Sequence, residues 1–427
     1  MVRIFESTQT RNNQNHGSTG NGKNDEQQFA VGTVTYSSGP LSLRQGHGMQ
    51  IQKEKYFLLY LKTGGGHLAP ARSIAHYLTA AYGKSIEPVL VDGLVDAPSV
   101  VRYILEDGYR ILQARSKLYY EFLYATNKFS LIRQFNATIS GFFMKPYLKK
   151  RIEEERPAKI VIFHFFLIAP VLDILKELRY DIPVITVVTD PFTAHPLWFQ
   201  REQDRYIVFS ERLKEDCVQK RKIPASKFHV FPFILDKQFS SPLSAAKITK
   251  VKQKFGFAPE KKVVLIIGGG DGIPHGKSVL RHLLDASLDV EIAIVCGKNK
   301  DLYADALELQ RHHPSLKVFA FVDFVYELLN ASDIVITKCG ASTIMEILIM
   351  KKIPVINDYL WEQELGNMEF VRDNELGIFE RSVAKLPIII RELVSGEEQY
   401  QRYLKNIEKM NVRSGAEEVG EFLREMT

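Results

Sequence analysis

Residues 337–367 read TKCGASTIMEILIMKKIPVINDYLWEQELGN, and this stretch decides the fold. Apolar Ile334-Val335-Ile336 lead in as a strand, Gly340-Ala341-Ser342-Thr343 turn the chain, and Ile344, Ile347 and Leu348 recur at helical spacing. The helix N-terminus therefore faces whatever lies beyond the strand's end. Gly340 allows close backbone approach, Ser342 and Thr343 add hydroxyls to free N–H groups, and the helix dipole favours an anion such as a diphosphate. One turn on, Glu346 offers a carboxylate that accepts two hydroxyls of a ribose. After a second strand (Pro354-Val355-Ile356), Gln363, Glu364 and Asn367 bring amide and carboxylate groups suited to sugar hydroxyls.

The same strand-to-helix grammar recurs outward from this stretch. Tyr56–Leu61 is a strand that runs into Thr63-Gly64-Gly65-Gly66-His67 and a helix from about Ala69 to Tyr82. Further strands are expected at 88–92, 159–163, 183–188, 206–209 and 229–231. In the second half, strands are expected at 262–267, followed by the glycine turn Gly268-Gly269-Gly270-Asp271-Gly272, and at 291–297 and 316–320. The glycine turns do not have the spacing of a dinucleotide fingerprint. Gly272 to Ser278 ends like a phosphate loop but lacks its glycine spacing. Strands alternating with helices in both halves predict an α/β protein with two doubly wound domains facing across a cleft. The expected boundaries are a polar disordered tail at 1–50, a first domain at 51–236, a linker at 237–261, a second domain at 262–398, and a terminal helix at 399–427 that crosses back to the first domain.

Composition narrows the function classes. At 427 residues with 45% hydrophobic and 25% charged residues, the chain is long enough for two cores, and no run approaches the roughly 20 apolar residues of a membrane span. Residues 1–50 are rich in Asn, Gln, Gly, Ser and Thr and carry no apolar leader segment. Cys217, Cys296 and Cys339 show no metal or disulfide framework, which points to a reducing cytosol. The net charge of +6 suits an anionic membrane surface or an anionic nucleotide sugar. No nucleic-acid-binding signature accompanies it.

Candidate chemistry on the first domain collects at strand ends, where ligands of parallel sheets bind. His67 follows the first strand and reads either as a base for a hydroxyl or as a structural loop histidine. Asp190 ends the 183–188 strand and reads as a base, as an acid orienting His67, or as a cap for the turn Pro191–Phe199. His164 and His195 shape the same edge; no third ligand sits at metal spacing. Between about 99 and 153 a long helical stretch is strongly aromatic from Leu118 to Phe143 and basic at Lys145, Lys149, Lys150 and Arg151. It reads equally as an interfacial membrane anchor or as a helix pair covering the first sheet.

Five motifs in order carry a resemblance: Thr63-Gly-Gly-Gly-His67, VVTDPFTAHPLWF ending at Phe199, Gly268–Gly272, C-G-A-S-T-x-x-E, and Q-E-x-G-N. Together they resemble the GT-B glycosyltransferases of family 28, in particular monogalactosyldiacylglycerol synthases and processive diacylglycerol glucosyltransferases, over residues 56–380. The resemblance implies inverting transfer of galactose or glucose from a UDP-sugar co-substrate to diacylglycerol, without metal or other cofactor, at the cytoplasmic membrane face. It implies donor contacts from Gly269, Gly270, Asp271, Val322, Ser342, Thr343, Glu346, Gln363, Glu364 and Asn367, with uracil held by the main chain near Val322. It implies acceptor contacts from Gly65, Gly66, His164 and His195, and His67 or Asp190 as base. A peptidoglycan-type N-acetylglucosaminyltransferase, a UDP-sugar 2-epimerase and a non-catalytic binding module are the competing readings.

Overall fold

Short runs of Val, Ile and Leu that are apolar on both faces can be buried only inside a parallel sheet covered by helices on each side. The computed structural model describes residues 53–63, 65–103, 106, 130–360 and 363–426, so the expected polar tail and the 118–129 part of the aromatic stretch lie outside the described residues. The first half forms strands β1 (Glu54–Tyr60), β2 (Ile86–Asp92), β3 (Lys159–Ile162), β4 (Val184–Val187), β5 (Arg205–Val208) and β6 (Phe228–Val230). They pair in the order β2-β1-β3-β4-β5-β6, all parallel, with Leu58 opposite Leu90 and Val161. The second half forms β7 (Val263–Ile267), β8 (Glu291–Val295), β9 (Lys317–Phe319), β10 (Ile334–Lys338), β11 (Ile353–Asp358) and β12 (Ile378–Phe379), ordered β12-β11-β10-β7-β8-β9 and again parallel. In both sheets the chain reverses its direction of strand addition beside the first strand, which opens a crevice at the strands' C-terminal ends.

Helix limits differ from expectation in instructive ways. The first helix begins at Gly65, four residues earlier than its apolar pattern, so the glycine turn is largely the helix's own first turn. The expected 99–153 helix is described as Ser99–Arg102 and Ser130–Glu155. The expected linker is not a free strap: residues Lys237–Ser240 form a short 3-10 turn, and Ala245–Lys254 form a helix that packs on the helix Val325–Ala331 of the second half.

Two features hold the halves face to face. The loop after β4 inserts Phe192 onto Phe370, ring centroids 4.3 Å apart, and Thr193 Oγ1 donates to the Gln363 carbonyl at 3.3 Å. Gly366 makes this approach feasible, because a Cβ there would stand 2.8 Å from Phe192 Cβ. At the C-terminus, the helix Ala416–Glu425 lies on the helix Gly65–Tyr82. Tyr77 and Tyr82 both donate to Glu421, and buried Lys159 caps the helix end by donating to the carbonyls of Leu423 (2.6 Å) and Arg424 (3.3 Å). One apolar cluster runs without a break from Leu58 and Val161 through Phe233 and Ile234 to Leu265 and Val335.

Candidate active site

A cavity of about 330 Å³ opens between the halves. Gly269, Gly270, Val295, Gly297, Val322, Ser342, Thr343 and Glu346 form its second-domain walls, so residues from four successive strand-to-helix turns converge on one opening. The glycine turn after β7 is built by sterics. Gly269 and Gly272 lie at φ +79° and +75°, and a Cβ at Gly268 would stand 2.2 Å from the Gly272 carbonyl oxygen. Gly270, by contrast, has nothing within 4 Å of its Cβ position and lines the cavity. Gly340 caps the helix Ala341–Ile349 without any side-chain acceptor, which leaves its first N–H groups turned to the opening beside Ser342 and Thr343. Asp271 sits in the glycine turn but is not among the cavity walls.

Glu346 has its carboxyl pushed up to about 8, chiefly by burial and then by the negative charge of Asp236. A carboxyl in that condition lacks donors, and the vicinal hydroxyls of a ribose would supply two. Asp236 itself accepts from the Gln238 N–H at 3.1 Å and lines the cavity with Gln238 and Phe239. Arg72 and Ser73 reach the same cavity from the Gly65–Tyr82 helix. Sequence reasoning missed these residues. Asp236 lay at the very end of the expected first domain, against the segment read as linker, and Arg72 sits five residues past His67 in what reads as an ordinary amphipathic helix.

Of the expected sugar-binding triplet, Glu364 and Asn367 already have partners in the protein. Glu364 is buried; it accepts the Leu360 N–H at 2.8 Å on one oxygen and faces Lys338 Nζ at 3.3 Å with the other. Asn367 Nδ2 donates to the Cys339 carbonyl at 2.9 Å, holding the turn that leads into the Ala341–Ile349 helix. Its Oδ1 is buried without a protein partner. Gln363 lies against Asp190 on the opposite domain. None of the three is among the walls of the cavity itself.

On the first domain, strand ends bring His67, His164, Asp190 and His195 together. His67 Nδ1 lies 2.8 Å from the Phe163 carbonyl, which can only accept, so this nitrogen carries the proton and Nε2 keeps its lone pair. Thr189 Oγ1 is 3.0 Å from the same nitrogen. Burial pushes the imidazole down to about 4, against the raising effect of the Phe163 carbonyl, so His67 is neutral at physiological pH. The expected pairing of His67 with Asp190 is not formed. Asp190 Oδ2 instead accepts Trp198 Nε1 at 2.8 Å, and Gln363 and the His195 N–H also bond the carboxylate. Burial nevertheless raises Asp190 to about 6. The Trp198 ring, 6.2 Å from that of His67, stands where the dyad was expected to meet.

His164 and His195 serve as caps. Each accepts a backbone N–H on Nδ1 at 3.2 Å, from Phe166 and Leu197 respectively, and each is buried. The His164 ring packs 4.4 Å from that of His67, and burial holds it well below the ordinary histidine range. Gly66 is exposed with open space around it, at the mouth of this histidine nest. Among the described residues, no cluster of His, Cys, Asp or Glu is arranged to hold a metal ion.

Two facing α/β domains, an anion cradle after β7 and β10 and a polar nest after β1, β3 and β4 define a protein of the GT-B class. Solved structures agree on the fold. MurG from Acinetobacter baumannii superposes with a TM-score of 0.56 at 14% identity, covering 87% of this chain and 100% of that one. Anabaena HepE, solved with UDP-glucose, gives 0.53 at 14% identity over 87% of this chain and 100% of its own. The sequence model described as monogalactosyldiacylglycerol synthase matches residues 67–232, and that of the glycosyltransferase family 28 C-terminal domain matches residues 263–419. The two models match the first and second halves of the chain in turn. A probable chloroplastic monogalactosyldiacylglycerol synthase of Nicotiana tabacum is 28% identical over 79% of this chain and 64% of its own length, so the chain spans just under two thirds of that relative. A processive diacylglycerol beta-glucosyltransferase of Bacillus cytotoxicus is 28% identical over 72% of this chain and 76% of its own.

Proposed function

We propose that the protein transfers a hexose, galactose or glucose, from a UDP-sugar to the free hydroxyl of diacylglycerol with inversion at the anomeric carbon. The observation that carries this is the cavity in which Gly269, Gly270, Ser342, Thr343 and Glu346 converge, closed on its other side by Ala69, Arg72 and Ser73 of the helix that begins beside the neutral His67. Uracil lies along Val322, the ribose hydroxyls on Glu346, and the diphosphate between the glycine turn and the Ala341–Ile349 helix. The acceptor oxygen attacks the anomeric carbon while its proton passes to His67 Nε2, and the bond to UDP breaks with its electron pair going to the β-phosphate oxygen. Asp190, tied to Trp198, Gln363 and the His195 N–H, anchors the loop after β4 at the same sheet edge as His67. The relatives named for action on diacylglycerol support the lipid acceptor.

The protein would work on a membrane surface from the cytoplasmic side. Among the described residues no helix is long and apolar enough to cross a membrane. Exposed Val95, Val100, Tyr103 and Phe142, the last 74% exposed, all belong to the first domain. The basic rim is partly matched by acids, since Lys145 and Lys149 both pair with Glu177, so apolar contact carries more of the docking than charge does. The test is UDP release from UDP-galactose and UDP-glucose with vesicles that contain or lack diacylglycerol. Release that requires diacylglycerol supports the reading. Release into water alone, or 2-epimer formation without vesicles, overturns it.

A further inference from the structure

Lys338 closes strand β10 inside the stretch that opens the site, and the reading above gives it no task. Its position is specified by the sheet. β10 and β11 pair Thr337 with Ile356 but Lys338 with Asp358, so the register slips by one residue just before the site, a device that re-aims a side chain. The re-aimed lysine runs between two anion-binding pieces of backbone. Its Cε is 3.8 Å from the Cβ position of Gly269 in the glycine turn, and Gly340, two residues on, starts the helix carrying Ser342 and Thr343. Nζ lies 3.3 Å from Glu364 Oε1, and the side chain remains 30% exposed. Glu364 in turn is fixed by the Leu360 N–H and lies 3.8 Å from the Cβ position of Gly340.

We infer that Lys338 is a catalytic cation that meets the charge developing on the departing diphosphate, and that Glu364 is a positioning residue that aims it rather than a ligand of the sugar. This inference rests on the UDP-sugar reading. When the glycosidic bond breaks, the β-phosphate gains a full negative charge, and the metal-ligating clusters that would meet it are absent among the described residues. A buried carboxylate 3.3 Å away holds the ammonium close, and the flexible lysine stem lets it move from Glu364 to the phosphate oxygens. The Glu364 carboxylate, with one oxygen held by a backbone N–H and the other facing Lys338, has less capacity left for hydroxyls.

The test compares UDP with uridine, which lacks the phosphates. For Lys338→Met, UDP affinity falls by about tenfold or more while uridine affinity stays within about twofold, and kcat falls by about 10²-fold with a smaller change in KM. Lys338→Arg recovers part of both losses. Glu364→Gln shifts the UDP-to-uridine ratio in the same direction without raising KM for the hexose beyond its effect on UDP. If Lys338→Met fails to fold, the ratio in Glu364→Gln and Lys338→Arg decides alone. A UDP-to-uridine ratio unchanged in the variants overturns the inference while leaving the donor reading intact. Wild-type protein that does not bind UDP overturns both.

Discussion

Glu346 is the residue whose titration reports most directly on the donor site. Its carboxyl is pushed up to about 8, because burial removes water and Asp236 adds a like charge. With a folded value above the ordinary 4.5, the group contributes stability that is fullest below that value and is lost as pH rises toward 8. A ribose that donates two hydroxyls prefers the carboxylate, so UDP binding must expel the proton below about pH 8. At about pH 7 roughly a tenth of the empty sites are ionised and at about pH 9 roughly nine tenths are, so UDP affinity should rise about tenfold across that window. Calorimetry in two buffers of different ionisation heat should also show nearly one proton released per UDP at neutral pH. Glu346→Gln should bind UDP more weakly and lose both the proton release and the slope. A wild-type affinity that is flat with pH, or a Glu346→Gln variant that keeps the slope, would refute the assignment.

Four further outcomes follow from the geometry. With His67 as the base, kcat/KM for diacylglycerol, measured at saturating UDP-sugar so that Glu346 is already ionised, falls on the acid side through about 4, because activity needs the unprotonated ring; a limb near 6 would instead point to Asp190. Gly270→Ala should fold like the wild type, since its Cβ meets nothing, yet lose about tenfold or more in UDP affinity by filling the cavity wall. Melting curves and calorimetry separate those two effects. Leu423→Ala, at a fully buried position of the terminal helix, should cost about 2–5 kcal/mol in chemical denaturation and expose residues 416–425 to protease. Phe142→Asp should reduce flotation with diacylglycerol vesicles while leaving UDP affinity unchanged.

Much of this architecture was legible in the chain. Val-, Ile- and Leu-rich runs ending in glycine turns announce parallel strands, because only a sheet covered on both faces buries them. The cavity formed by the turns after β7 and β10 follows from two such endings lying side by side. What was not legible depends on contacts across the fold. The partner of His67 is a main-chain carbonyl at Phe163, which no side-chain pattern reveals. Trp198, eight residues past Asp190, takes the place expected for His67 as that carboxylate's partner. The Q-E-x-G-N segment spends Gly366 on closing the domains and Asn367 on bracing a turn, because it sits where the two halves meet. Asp236 reaches the cavity from the last residue of the expected first domain, where no motif marks it.

The central claim is that a hexose leaves UDP and arrives on a diacylglycerol hydroxyl with inverted configuration. It is tested most directly by incubating the protein with isotopically labelled UDP-α-hexose and diacylglycerol vesicles, extracting the lipid phase and reading the anomeric coupling of the labelled sugar by NMR. The account predicts a β-linked glycosyl diacylglycerol that disappears in His67→Ala. An α-linked product, or label that stays entirely in the aqueous phase, would contradict it.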